Sequence, residues 1–119
     1  MDDTTTIQSA KLSVQRFCDE RDWSQFHSPK KLAIGISTEA NELLALFRFK
    51  TEDQIQEMLH GEKRVEIEDE LSDALFFILR FAQMNGIDLD EALRRKIAKN
   101  EERYPAALVR GKNGKYDEY

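Results

Sequence analysis

Cysteine, proline and glycine are all scarce in this chain of 119 residues, and each shortage closes off a class of structure. Cys18 is the only cysteine. An internal disulfide and a cysteine-ligated zinc cluster are therefore excluded, and Cys18 reads as a small buried apolar residue. Pro29 and Pro105 are the only prolines, and neither interrupts an apolar-periodic segment, so long helices are free to form. No apolar run is long enough to span a bilayer: the strongest, Ala74 to Ala82, is broken by Arg80. The start, Met1-Asp2-Asp3-Thr4-Thr5-Thr6, has neither a basic beginning nor an apolar centre. No signal peptide and no membrane partner are expected, and a cytoplasmic location follows. Positive charge is also short. The net charge of −5 argues against a broad basic face for a nucleic acid polymer. Several catalytic signatures are missing as well. There is no phosphate loop of the Gly-x-x-x-x-Gly-Lys type and no His-Glu-x-x-His zinc motif. Glu57-Met58-Leu59-His60 is the single Glu-x-x-His pattern, whereas di-iron bundles use two, and Ser24 stands three residues before His27. Cys18 has no motif-level base to make it a nucleophile.

What remains is a chain of helical periodicity, with a length that fits one domain spanning 1–119. Ile7, Ala10, Val14, Phe17 and Cys18 recur at helical spacing, predicting a first helix from about Thr6 to Arg21. Asp22 to His27 forms a connector containing Trp23 and Phe26. Ser28-Pro29 starts a second helix that runs to about Phe47, with Ser28 as the cap and Pro29 in the first turn. Thr51-Glu52-Asp53-Gln54 has the reciprocal capping pattern and opens a short helix to Leu59, ended near Gly61. A third long helix covers about Lys63 to Asn85, with Gly86 as a left-handed stop. Asp88-Leu89-Asp90-Glu91 starts a fourth long helix that ends at Tyr104, where Pro105 bars continuation. Residues 1–5 and about 106–119 are expected to be flexible.

Against this background, two pairs of acids stand out: Glu39 with Glu42, and Glu70 with Asp73. Residues three apart project from one side of a helix. Leu32, Ile36, Ala40, Leu43 and Phe47 form an apolar stripe on the second helix; Glu39 falls at its edge and Glu42 further round. On the third helix, Leu71, Leu75, Ile78, Leu79 and Ala82 form one stripe. Glu66, Glu70, Asp73 and Phe77 form another, nearly opposite, which Phe81 continues. A helix that is apolar nearly all round is covered on both sides, so its acid stripe faces a partner helix or cleft. Acids there need neutralising, and a hard divalent cation with oxygen ligands, magnesium above all, does this most simply. Acid pairs at this spacing are also common on solvated helices. Spacing alone leaves three readings open: a solvated face, a structural ion, or magnesium bridging the phosphates of a bound triphosphate.

In their order along the chain, these residues resemble a known family. The segments are Asp22-Trp23-Ser24-Gln25-Phe26-His27-Ser28-Pro29, Glu39-Ala40-Asn41-Glu42-Leu43, Leu46-Phe47-Arg48-Phe49-Lys50, Glu70-Leu71-Ser72-Asp73, Asn100-x-x-Arg103-Tyr104-Pro105 and Arg110-Gly111. Together, over roughly residues 10 to 116, they look like the MazG-like, all-α nucleoside triphosphate pyrophosphohydrolases, dCTP pyrophosphatase branch. The resemblance implies an all-α four-helix bundle core that dimerises through its helices, often into a tetramer. It implies Mg²⁺-dependent cleavage of a nucleoside triphosphate between the α and β phosphates, giving a monophosphate and pyrophosphate. Glu39, Glu42, Glu70 and Asp73 would be the magnesium ligands and catalytic acids.

Substrate-contacting roles follow from the same resemblance. Trp23 and His27 match base-pocket positions; read alone, Trp23 is equally a core aromatic and His27 equally a turn residue. Lys96, Asn100 and Arg103 lie at about one-turn spacing on the fourth helix. They read either as a solvated basic face or, by resemblance, as contacts to sugar or phosphate. Phe49 and Phe77 stand where the branch usually has tryptophan and tyrosine. Phe49 can still stack on a base, and Phe77 lacks a hydroxyl for the sugar or a phosphate. The expected substrate is dCTP or a modified dCTP, with dATP also admitted. A non-hydrolysing nucleotide-binding module and a related dUTP or phosphoribosyl-ATP hydrolase are the alternatives. At least a dimer is expected, because the third helix is apolar on more sides than one small bundle covers.

Overall fold

The computed structural model describes residues 1–118. It is all helical, and no strand occurs among the described residues. The helices are α1 (Ile7–Asp19), α2 (Pro29–Phe47), α3 (Glu52–His60), α4 (Arg64–Met84), α5 (Leu89–Arg103) and α6 (Ala106–Val109), with 3₁₀ turns at Ser24–Phe26 and Tyr116–Glu118. The chain divides into two compact units, Met1–Gly86 and Ile87 onward. The first holds α1 to α4. Within it α4 is the hub, and α2, α1 and α3 all pack on it, α2 most extensively.

Local chemistry sets the boundaries. The Ser28 hydroxyl accepts from the Lys31 amide at 3.2 Å, with Pro29 at the first helical position. Thr51 and Gln54 cap each other reciprocally, the Gln54 amide donating to Thr51 at 3.2 Å and the Thr51 amide to Gln54 at 2.9 Å. A further reciprocal cap, between Thr6 and Ser9, opens α1. Asp88 accepts from the Glu91 amide at 2.8 Å. Gly86 adopts φ +64° after α4, the left-handed conformation that glycine reaches without a Cβ penalty. The helix predicted to reach Arg21 stops at Asp19. There the Cys18 carbonyl takes the amides of Arg21 and Trp23, both at 3.1 Å, and reverses the chain. Asp22 completes the reversal at φ +54°, held by the Gln25 side chain on its carbonyl at 3.0 Å.

The core of the first unit is small: Val14, Cys18, Leu32, Ile67, Leu79 and Ala82, with Arg80 buried among them. The stripes predicted from periodicity are only partly covered. Leu32 is buried while Ala40 is exposed. On α4, Leu79 and Ala82 are buried, but Leu71 is 57% and Leu75 51% exposed. Their side of α4 is not the side that α1, α2 and α3 cover within this chain. The second unit contains α5, α6 and the last 3₁₀ turn. The first unit thus holds α1 to α4, and α5 heads the second. Beyond Pro105, α6 and a 3₁₀ turn form among the described residues. Tyr116 meets Tyr104 edge-on at 6.3 Å, and Arg103 lies over the Tyr116 ring at 4.8 Å. Tyr119 lies outside the described residues.

Candidate active site

Because α2 and α4 pack along each other, their acid faces meet. Glu39 and Glu42 on α2, and Glu70 and Asp73 on α4, each offer one carboxylate oxygen within 4.8 Å of the others. Glu39 and Glu70 are half-buried; Glu42 and Asp73 are exposed. One oxygen of Glu39 and one of Glu70 (Oε2 in each) are sealed from solvent and have no hydrogen-bond partner. Lys63 and Arg64, near the start of α4, pair instead with Glu66 at 3.4 Å and Glu68 at 2.8 Å.

The electrostatics follow from that crowding. Glu39 is pushed above the usual carboxylate range, first by burial, then by the neighbouring Glu42 carboxyl and the charges of Asp73 and Glu70. Glu70 is raised in the same way, by burial, then Glu42, then the charges of Asp73 and Asp69. Two sealed, partnerless carboxylate oxygens within an all-oxygen donor set fit a hard divalent cation. The residues present could hold such an ion without help from nitrogen or sulfur ligands.

Next to the acids lies a pocket of about 550 Å³. Glu39 and Asp73 contribute its acidic lining; Phe17, Trp23, Phe76 and Phe77 give it aromatic walls, with Ser13 and Val14 beside them. The rings form an edge-to-face chain. Trp23 meets Phe17 at 5.5 Å, Phe17 meets Phe76 at 5.8 Å, and Phe76 meets Phe77 at 5.6 Å. Phe77 reaches its place because Gly35 on α2 has no side chain; a Cβ there would stand 2.8 Å from the ring. Arg21 covers Phe17 at 3.7 Å.

The substrate-contact candidates are distributed unevenly. Trp23 and Phe77 line the pocket. His27 is not among the lining residues but stands edge-on to Trp23, which is, at 6.3 Å. Its Nδ1 accepts a hydrogen bond from Arg80 at 2.9 Å. Burial, and then the Arg80 charge, push its imidazole below the ordinary histidine value, favouring the neutral ring. Phe49 is 84% exposed, beneath Arg48 at 4.8 Å, and is not among the residues lining the pocket. Lys96, Asn100 and Arg103 sit on α5, in the second unit. Helical spacing puts Phe17 in the apolar stripe of the first helix, does not single out Phe76, and marks Arg80 only as a break in an apolar run. A charge inside a run otherwise fit for the core was the available signal that Arg80 has dedicated partners.

Comparison with known proteins places this arrangement. The MazG-like family model matches residues 34–118. Human dCTP pyrophosphatase 1 is 34% identical over 114 residues, which cover 95% of this chain and 67% of that protein. The mouse dCTP pyrophosphatase 1 is 34% identical over 112 residues, covering 93% and 66%. The chain thus spans about two thirds of the length of these curated relatives. A solved pyrophosphatase structure from Archaeoglobus fulgidus DSM 4304 superimposes with a TM-score of 0.77 at 36% identity, covering 83% of this chain and 92% of that one.

Proposed function

The chain belongs to the MazG-like family, and from that premise we propose that this nucleoside triphosphate pyrophosphohydrolase is magnesium-dependent and acts on deoxynucleotides. Its preferred substrate is dCTP or a base-modified dCTP, with dATP also accepted, and the products are the monophosphate and pyrophosphate. The observation that carries this reading is the shared lining of one pocket by carboxylates and aromatic rings. Glu39 and Asp73 belong to the acid cluster, and both line the cavity walled by Trp23, Phe17, Phe76 and Phe77.

In this reading Glu39 and Glu42 from α2, with Glu70 and Asp73 from α4, hold the ion. When bound, magnesium supplies charge neutralisation at phosphate oxygens and makes a water more acidic. The chain's own contribution is position. The aromatic walls take a flat base by stacking, which tolerates more than one base identity. That grip leaves the phosphates directed to the acidic end, where water can attack between the α and β phosphates. Phe77 presents only a ring, so the sugar is not read by a hydroxyl from that position. Lys96, Asn100 and Arg103 are assigned to sugar or phosphate by family resemblance alone.

The same premise extends to assembly. Leu71 and Leu75 stand exposed on one side of α4, with Ile78 at 37%. We assign this stripe to a homodimer interface, which would cover apolar surface that the single chain leaves in water.

Pyrophosphate release measured across the common ribo- and deoxynucleoside triphosphates, with magnesium and with chelator, tests the activity. Release from dCTP that stops with chelator is expected. No release from any nucleotide overturns the reading, and magnesium-dependent binding without product would mark a non-hydrolysing module.

A further inference from the structure

Arg80 is 1% exposed and ranks among the largest fully buried side chains. A buried guanidinium is costly unless its donors are satisfied. Among the described residues its hydrogen-bond partners are neutral: Nε donates to His27 Nδ1 at 2.9 Å, one terminal nitrogen to Ser24 Oγ at 3.0 Å, and the other to Gln83 Oε1 at 2.7 Å. Gln83 belongs to α4 itself, whereas Ser24 and His27 bracket the 3₁₀ turn of the connector. Trp23, which immediately precedes that turn, is a wall of the pocket. Arg80 therefore ties the connector to the same helix that carries Glu70, Asp73, Phe76 and Phe77.

The chemistry of the His27 contact is one-sided. A guanidinium is only a donor, so Nδ1 must be the acceptor, and a neutral imidazole with a bare Nδ1 carries its proton on Nε2. A second ring proton would set N–H against N–H.

We propose that Arg80 is a positioning residue for base recognition: it locks the Ser24–His27 turn against α4, holding Trp23 in the pocket wall and His27 as a fixed Nε2–H donor. The inference rests on the pyrophosphohydrolase reading and names what sets its base preference. His27 stands beside the wall residue Trp23 at 6.3 Å and not in the lining itself. Its donor therefore acts where a bound base extends past Trp23, and there it favours a base edge that offers a lone pair over one that offers an N–H. Without the tie, Trp23 keeps its amide bond to the Cys18 carbonyl and its contact with Phe17, but the turn loses its registration to the acids on α4.

The test uses the full chain with Arg80→Met, which keeps much of the volume and removes every donor, and Arg80→Lys, which keeps the charge but not the fork. Small misplacements near a reacting group cost up to about a hundredfold. For Arg80→Met, we expect KM for the preferred nucleotide to rise about tenfold or more within that range. We expect kcat to change little and discrimination between cytosine and uracil nucleotides to collapse. Arg80→Lys should restore part of it. A readout independent of turnover is ¹⁵N-histidine spectroscopy. His27 in the unaltered chain should be the neutral Nε2–H tautomer at neutral pH, and Arg80→Met should mix the tautomers.

Unchanged KM and discrimination in a folded Arg80→Met, with only a lower Tm, overturn the proposal. So does an Nδ1–H or doubly protonated His27 in the unaltered chain. If Arg80→Met does not fold, Ser24→Ala and the spectrum of the unaltered chain decide. Loss of discrimination in Ser24→Ala supports the proposal, and full retention overturns it. If the unaltered chain hydrolyses no nucleotide, the pyrophosphohydrolase reading fails and base recognition by Arg80 fails with it, while the tautomer is still judged by the spectrum.

Discussion

At the scale of single residues, the four carboxylates dominate because they crowd like charges within 4.8 Å of one another. Replacing Glu39 with Gln, or Asp73 with Asn, keeps the shape and removes an anionic ligand. Turnover should fall by roughly two or more orders of magnitude, as losses of electrostatic stabilisation do, with the helical circular dichroism intact. Full activity in either variant would remove that residue from the ligand set. The raised carboxyls of Glu39 and Glu70 have a second consequence. A carboxyl whose folded-state pKa is raised holds its proton more tightly folded than unfolded, so its ionisation costs stability as pH rises from the unfolded pKa through the folded one. In chelator, Tm should decline across the window just above the ordinary carboxylate range. Glu39→Gln and Glu70→Gln should flatten that decline and raise Tm, as should magnesium added to the unaltered chain. Identical thermal profiles for all of them would show that the cluster carries no folding penalty.

Helix against helix, the site depends on how closely α2 approaches α4. Gly35 is the point of closest fit, since a methyl group there would overlap the Phe77 ring at 2.8 Å. Alanine in a helix is about 1 kcal/mol better than glycine, but overpacking costs about 1 to 3 kcal/mol. The clash should win, because the atoms met belong to a ring held between Gly35 and Phe76. Gly35→Ala should lower stability in urea by about 1 kcal/mol net. Adding Phe77→Leu should recover part of it, by a double-mutant cycle. A stabilised Gly35→Ala would mean that α2 and α4 separate without penalty.

For the whole molecule, the question is what covers the exposed side of α4. The six apolar side chains buried in this chain leave Leu71, Leu75 and Ile78 in water. A charge placed in a dimer core is strongly unfavourable, whereas on a free surface it is nearly neutral. Leu75→Glu should shift sedimentation from dimer toward monomer at micromolar concentration, with the caps and α1–α4 helices retained. An unaltered chain that sediments as a monomer would remove the assembly proposal.

The helices and most of their ends could be read from residue order alone, because caps and helical stops are short-range chemistry. Ser28-Pro29, the Thr51–Gln54 box, Asp88 and Gly86 each act within a few residues. The acid pairs were legible for the same reason, since three-residue spacing puts both carboxylates on one helix face. Periodicity gives an angle around an axis but not the neighbour that covers it. It could not tell that Leu71 and Leu75 face away from α1, α2 and α3, or that Phe49 lies outside the pocket. Nor could it find that Arg80 reaches across 53 positions to His27. Those outcomes depend on contacts between distant segments, which only the packing of α1, α2 and α3 on α4 decides.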